Sequence, residues 1–225
     1  VILAARSEYF EALLYNGSEE SNQSELTFND ISPNAFRMLL KYIYTGSVTM
    51  VPSNIDLTLE MMGLAHQYSF PDVESAIIKK LKTMLNLTNI CSILYMANVY
   101  NLNELREVCH VFMDKHALEI LKCDCFNELT QVSMIKLLQR DTFFAPEGEI
   151  FKSVAKWCKV NNDVDDLVVK SVRLSWLTVV EIVSIVWPSK LLHNEILLNA
   201  IAEIQEDPIA EPNCVRNRIR VMKIN

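Results

Sequence analysis

The chain has 225 residues, half of them hydrophobic, with only 4 glycines and 7 prolines, which excludes a disordered or low-complexity protein and favours helix. Its 21 basic residues against 28 acidic ones give a net charge of −7, so no nucleic-acid partner is expected, because phosphate binding needs clustered positive charge. No run reaches the roughly 18 consecutive apolar residues of a membrane helix, so no membrane partner is expected either, and the six scattered cysteines read as reduced thiols of a cytoplasmic protein.

In chain order, Leu3 to Leu14 reads as a helix. Leu26 and Phe28 then alternate with Glu25, Thr27 and Asn29, the period-two pattern of a half-buried strand. Ser32 is placed to cap the next helix and Pro33 suits its first turn. In that helix Phe36, Leu39, Leu40 and Ile43 fall at i, i+3, i+4 and i+7, and Gly46 can supply the positive φ that ends it. A short Val48/Met50 alternation could add a strand. Residues 54–70 predict a helix with Ile55, Leu59 and Met62 on one side, and Pro71 and Asp72 open another whose stripe is Val73, Ile77, Leu81 and Met84.

Helical hairpins follow. Thr88 is read as the cap of a helix carrying Ile90, Ile93, Leu94 and Ala97, and after a turn at Asn101-Leu102-Asn103 a second carries Leu105, Val108, Cys109 and Phe112. Pro146 stands at an expected first helical position ahead of Ile150, Phe151, Val154, Trp157 and Cys158. Leu197, Ala200, Ile201 and Ile204 form the last stripe. From Gln205 to Pro212 the chain reads as a linker. The tail Val215-Arg216-Asn217-Arg218-Ile219-Arg220-Val221 alternates like a strand, read as the start of a β domain or a solvated linker, with an anion-binding strip as the sharper alternative.

The order of Leu-Ala-Ala-Arg-Ser-Glu-Tyr-Phe (3–10), a strand, Leu-Leu-Lys-Tyr-Ile-Tyr-Thr-Gly (39–46) and Met61 to Tyr68 resembles a BTB (POZ) domain. Asp141-Thr142-Phe143-Phe144-Ala145-Pro146-Glu147, then Phe151 and Trp157-Cys158, resemble a BACK domain. The resemblance implies an α+β, mostly α fold: a partial BTB α/β domain over 1–85, an all-α BACK helical array over 86–204, and a linker with the possible start of a further β domain over 205–225. BTB domains open with two strands and a helix ahead of the Leu-Ala-Ala segment, so the chain is read as a fragment.

In this family the resemblance implies an adaptor: a binder of the N-terminal region of cullin-3 in a ubiquitin ligase, homodimeric through its BTB domain, with the substrate protein held by a domain outside this chain. BTB helices and the first BACK hairpin would form one groove for partner helices. The contact candidates are Met61, Tyr68 and Phe70 from the BTB side and Tyr95 and Tyr100 from the BACK side, with core packing as the competing reading of each. Cullin-binding relatives carry a hydrophobic-x-acidic element after the Tyr-Thr-Gly helix. Here Asp56 follows Asn54 and Glu60 follows Thr58 at that spacing, so Leu57 and Glu60 are read as its equivalents at altered spacing. The alternative is a scaffold that dimerises and spaces other modules without a ligase.

No catalytic residue, metal or cofactor is expected, and the protein is not read as an enzyme. The sequence has no Gly-x-Gly-x-x-Gly, no P-loop, no His-Glu-x-x-His and no Gly-x-Ser-x-Gly. The nearest metal-like grouping is Cys109-His110, His116 and Cys123-x-Cys125. Its two histidines stand roughly 240° apart around a helix, and core thiols with surface histidines are the preferred reading. His66 reads as a packing histidine, and Trp157, Trp176 and Trp187 as core or junction fillers.

Overall fold

In the computed structural model, which describes residues 2–15, 25–28, 31–46, 54–161 and 166–206, helices provide nearly all the regular structure. They form two compact units, one of residues 1–85 with 96–105, the other of residues 86–95 with 106 onward. Among the described residues there is no strand, so the β part of the α+β expectation is not met there. Alternation decides only which side chains share a face; a strand also needs its backbone paired to a neighbour. Phe28 does turn inward, its ring 5.5 Å from that of Phe36. Asn29, Val48, Met50 and the arginine-bearing tail lie outside the described residues.

The first unit begins with α1 (Ile2–Arg6) and α2 (Glu8–Tyr15). Ser7 separates them because its hydroxyl serves both sides: it accepts from the Phe10 N–H at 3.2 Å and donates to the Tyr68 carbonyl at 2.6 Å. Next comes α3 (Pro33–Thr45), with the ends the sequence predicts. The Ser32 side chain accepts from the Ala35 N–H, Pro33 opens the first turn, and Gly46 closes the helix at φ 69° with its N–H on the Tyr42 carbonyl. The Arg6 guanidinium donates to the Ile43 carbonyl at 3.1 Å, tying α1 to the end of α3.

Then α4 (Ile55–Gln67) is capped by the Asn54 side chain, and α5 (Pro71–Met84) starts on Pro71. Between them Ser69 takes φ 56°, and the Phe70 N–H reaches back to the Ala65 carbonyl at 2.8 Å. This left-handed turn swings Phe70 into the core. The stripes Leu39/Ile43, Met61/Met62/Ala65 and Val73/Ile77/Leu81 are all buried, and burial of each large side chain is worth about 1.5–3 kcal/mol before entropy is counted.

Residues 96–105 join this unit as the end of α6 (Ile90–Val99), a turn, and the start of α7 (Asn103–Lys115). Asn101 takes φ 53°, and the Leu102 N–H bonds the Ala97 carbonyl at 2.9 Å. Lys82 of α5 pairs with Glu104.

In the second unit the cap expected at Thr88 is made differently. The Asn86 side chain accepts from the N–H groups of Thr88 and Asn89, at 2.9 and 3.0 Å, and from the Thr88 hydroxyl. A carboxamide reaches its own chain two and three residues on, which is the usual geometry of an Asx turn. After α8 (Ala117–Lys122) and α9 (Gln131–Leu138) comes α10 (Glu147–Val160), for which Pro146 is the cap rather than the first helical residue. Phe126, Phe143, Phe151 and Trp157 fill the core. The Trp157 indole N–H donates to the Leu129 carbonyl at 2.9 Å, which satisfies the one polar atom of that ring inside the core. The last helix, Asn194–Glu206, runs two residues into the segment read as linker.

A polar network fixes the irregular stretch after α9. Arg140 gives Nη2–H to Asp114 at 2.8 Å and to Glu107 at 3.1 Å, and the Thr142 hydroxyl donates to Asp114 at 2.6 Å. Burial alone would raise Glu107, but the hydrogen bond and charge of Arg140 outweigh it and hold the carboxyl below its usual range. Burial, then the charge of Arg140, push the His110 imidazole below its ordinary 6.5, against the pull of Glu107 and Asp114.

Two outcomes are expected. Nothing lies within 4 Å of a Cβ added at Gly46, yet its φ is +69°, so Gly46→Ala should lower the denaturant-unfolding free energy by backbone strain alone, by about 1 kcal/mol. His110, depressed in the fold, binds fewer protons than in the unfolded chain just below 6.5. Stability attached to it is therefore complete above that pH and declines as pH falls through it. His110→Asn should flatten the fall in stability between about pH 7 and pH 5, a window above the range where Glu107 titrates; an unchanged slope would show that His110 titrates alike in both states.

Candidate functional site

Within the first unit, the N-terminal end of α3 and the outward face of α4 stand apart by a groove of about 290 Å³. Ile31, Ser32 and Ala35 form one wall. The floor and opposite side are Leu59, Glu60, Gly63, Leu64 and Gln67 of α4, and Met96 and Tyr100 close one end. Four of the α4 residues, 60, 63, 64 and 67, are spaced i, i+3, i+4 and i+7, so a single helix face supplies them. Leu59, Leu64 and Ala35 are buried, while Glu60 and Gln67 are exposed. The groove thus combines buried apolar side chains with exposed polar ones, Glu60 supplying a carboxylate. At this volume and open to solvent, it suits side chains projecting from a partner better than an enclosed small molecule.

Tyr100 is held in place by the residues beneath it. A Cβ built on Gly63 would lie 2.7 Å from the Tyr100 hydroxyl, so the phenol occupies the space that any other residue at 63 would fill. The ring also packs against His66 in a tilted contact, centroids 4.6 Å apart. His66 Nδ1 lies 3.1 Å from Glu74 Oε2, and because an ionised carboxylate only accepts, Nδ1 is the donor.

The candidate residues separate accordingly. Glu60 and Tyr100 line the groove. Leu57 is half-buried near the start of α4, its N–H on the Asn54 side chain, and does not line it. Tyr95 belongs to the second unit, where it is exposed. Met61, Tyr68 and Phe70 are core residues, only 0%, 1% and 4% exposed, which favours the packing reading of each; Phe70 also lines a larger concavity of the unit. Tyr68 in particular packs against Tyr9, Phe10, Phe28 and Phe36, with centroids 4.8 to 6.4 Å away. Sequence reasoning missed Gly63 and Met96; His66, read as a packing residue, does pack, on Tyr100, with its side chain 45% exposed. The signal available was the 60/63/64/67 spacing, which a search for apolar stripes passes over because two of its members are polar and one is glycine.

A larger concavity in the same unit, about 850 Å³, is bordered by Arg6, Glu8, Glu11, His66, Asp72 and Glu74. Ala4, Ala5, Phe70 and Pro71 line it as well, so it is mixed in character, with more carboxylates at its border than the groove has. Among the described residues no three His, Cys, Asp or Glu side chains are grouped to hold a metal. Cys123 and Cys125 both donate to the Leu87 carbonyl, at 3.3 and 3.0 Å, and burial pushes the Cys109 thiol up to about 12. No helix among the described residues is long and apolar enough to cross a membrane.

Residues 1–85 match the BTB/POZ domain, and residues 90–187 match the family described as BTB And C-terminal Kelch, or BACK. The chain belongs to the BTB–BACK family. Among individual proteins it is similar to BTB/POZ domain-containing protein 9. It is 44% identical to that of Drosophila melanogaster over 204 residues, 90% of this chain and 28% of the relative. To that of Homo sapiens it is 39% identical over 203 residues, 89% of this chain and 33% of the relative. Kelch-like protein 17 of Homo sapiens is 28% identical over 166 residues, 73% of this chain and 25% of that protein. The chain therefore spans a third or less of the length of these relatives.

Because the atom facing Gly63 is the far end of a side chain rather than backbone, Gly63→Ala should leave the protein folded, the helix-propensity gain of roughly 1 kcal/mol offsetting the crowding. The Tyr100 ring should move aside, seen as a change in its NMR ring signals, and unmoved signals would show that the phenol does not rest on Gly63.

Proposed function

We propose that this chain is the cullin-binding part of a protein-interaction adaptor, and that its groove receives an apolar-faced helix from the N-terminal region of cullin-3. The observation that carries the reading is the single groove in which buried apolar side chains, the Glu60 carboxylate and the Tyr100 ring converge. An amphipathic helix presents apolar side chains at i, i+3, i+4 and i+7 beside polar ones, matching a groove that combines apolar side chains with exposed polar residues. Tyr100 has the attributes of a hot spot, an aromatic with a polar tip held at the end of a pocket. Glu60, on the rim, would select a basic residue on the partner and steer its approach. This assigns Glu60 the acidic role expected of the altered hydrophobic-x-acidic element, with Leu57 supporting the turn before it.

Membership of the BTB–BACK family supports the wider part of the reading: a non-enzymatic adaptor, homodimeric and cytoplasmic, that brings a substrate protein held by another domain to a ubiquitin ligase. Such an adaptor performs no bond chemistry itself. It raises the effective concentration of one protein beside another.

The test is a calorimetric titration of the cullin-3 N-terminal region into the protein. Binding at micromolar affinity or tighter is expected, about −8 kcal/mol or stronger. Tyr100→Ala should weaken it by roughly thirtyfold or more. Glu60→Lys should weaken it by roughly threefold to tenfold, mainly through a slower, salt-sensitive association. Absence of heat from the folded protein would overturn the reading in favour of a scaffold without a ligase, and wild-type affinity in Glu60→Lys would remove Glu60 from the interface.

A further inference from the structure

His66 does not line the groove; it borders the neighbouring concavity together with Glu74. Its ring nevertheless packs in a tilted contact on Tyr100, the aromatic residue among the groove's described lining, with centroids 4.6 Å apart and planes inclined by 43°. We propose that His66 is a positioning residue for partner binding: anchored by Glu74, it holds the Tyr100 ring across the end of the groove and acts on the partner only through that ring. The inference rests on the groove reading above and adds to it the part of the fold that sets the groove's shape.

The argument is geometric. Tyr100 follows the end of α6, and the next residue, Asn101, is in the left-handed conformation. The turn fixes where its Cα lies but leaves χ1 and χ2 to the surroundings. Two residues one turn apart on α4 lie against the ring. Gly63 leaves room for the hydroxyl, the missing Cβ position lying 2.7 Å from it, and His66 offers a flat face. A free imidazole would rotate and offer that face only part of the time. The bond from Nδ1 to Glu74 Oε2, at 3.1 Å, removes that freedom. Glu74 is on α5 and its side chain is only 23% exposed, so the anchor is itself fixed by helix packing. The order of dependence is therefore Glu74, His66, Tyr100, partner. An ordered aromatic wall binds more tightly than a mobile one, because the entropy of ordering it is not charged to association.

A double-mutant cycle with the cullin-3 N-terminal region as probe tests this. His66→Ala should weaken binding by roughly threefold to tenfold in the parent protein and by nothing further once Tyr100→Ala is present, the signature of two residues acting as one unit. His66→Phe, which restores a ring face without the bond to Glu74, should recover part of the loss. In the protein without partner, the Tyr100 ring signals, assigned by comparison with Tyr100→Phe, should shift on His66→Ala and shift in the same direction but less on Glu74→Gln. Equal losses from His66→Ala with and without Tyr100 would overturn the proposal, because His66 would then touch the partner directly. Unmoved Tyr100 signals would overturn it whether or not cullin-3 binds, whereas shifted signals with no binding by the parent would sustain the positioning role and refute only the identity of the partner.

Discussion

The Tyr68 ring lies under four other aromatic rings, those of Tyr9, Phe10, Phe28 and Phe36, while its own carbonyl takes the Ser7 hydroxyl at 2.6 Å. Residues from α2, the segment before α3, α3 itself and the end of α4 therefore share one buried contact. Aromatic pairs of this kind add to simple area burial and prefer defined tilts, so the cluster sets rotation as well as proximity. Once Tyr68 is fixed at the C-terminal end of α4, the azimuth of every other residue on that helix follows at 100° per step. Met61, Met62 and Ala65 are turned into the core, and Glu60, Gly63, Leu64 and Gln67 face the groove. The face of α4 that lines the groove is set by a residue that does not line it.

This arrangement explains how a groove can be built from few specialised residues. Its floor consists of side chains that also pack the core, Leu59, Leu64 and Ala35. Glu60, Gly63, His66 and Tyr100 each contribute one simple property: a charge, an absence of bulk, a ring packed beside the tyrosine, a ring with a polar tip. Tyr100 reaches the unit through the turn 96–105, which Lys82 and Glu104 help to hold.

The second unit solves a different problem. It holds an irregular stretch between α9 and α10, outside any helix. Asp114, Arg140 and Thr142 answer with charge-assisted hydrogen bonds, and Arg173 adds another to Asp141 at 2.9 Å while its guanidinium lies 4.7 Å from the Trp176 ring. Such bonds are strong where solvent is largely excluded. They hold a segment that hydrophobic burial alone would leave loosely defined.

The amino-acid sequence determined by itself the features that depend on local spacing. The cap at Ser32, the proline start of α3 and the glycine end at Gly46 follow from side-chain reach and backbone sterics within a few residues, as do the buried stripes of α3 and α5. The family was legible for the same reason, since its motifs are contiguous. Only the tertiary structure decided which aromatics are presented and which are enclosed. Met61, Tyr68 and Phe70 look like contact residues in a linear reading, yet their exposure depends on α2, α3 and Phe28 arriving from elsewhere in the chain. Tyr100 and His66 are 34 positions apart by number, and nothing in either neighbourhood announces that their rings meet. Spacing rules see one helix at a time, whereas a site made where two helices and a turn converge exists only after the long-range packing that brings them together.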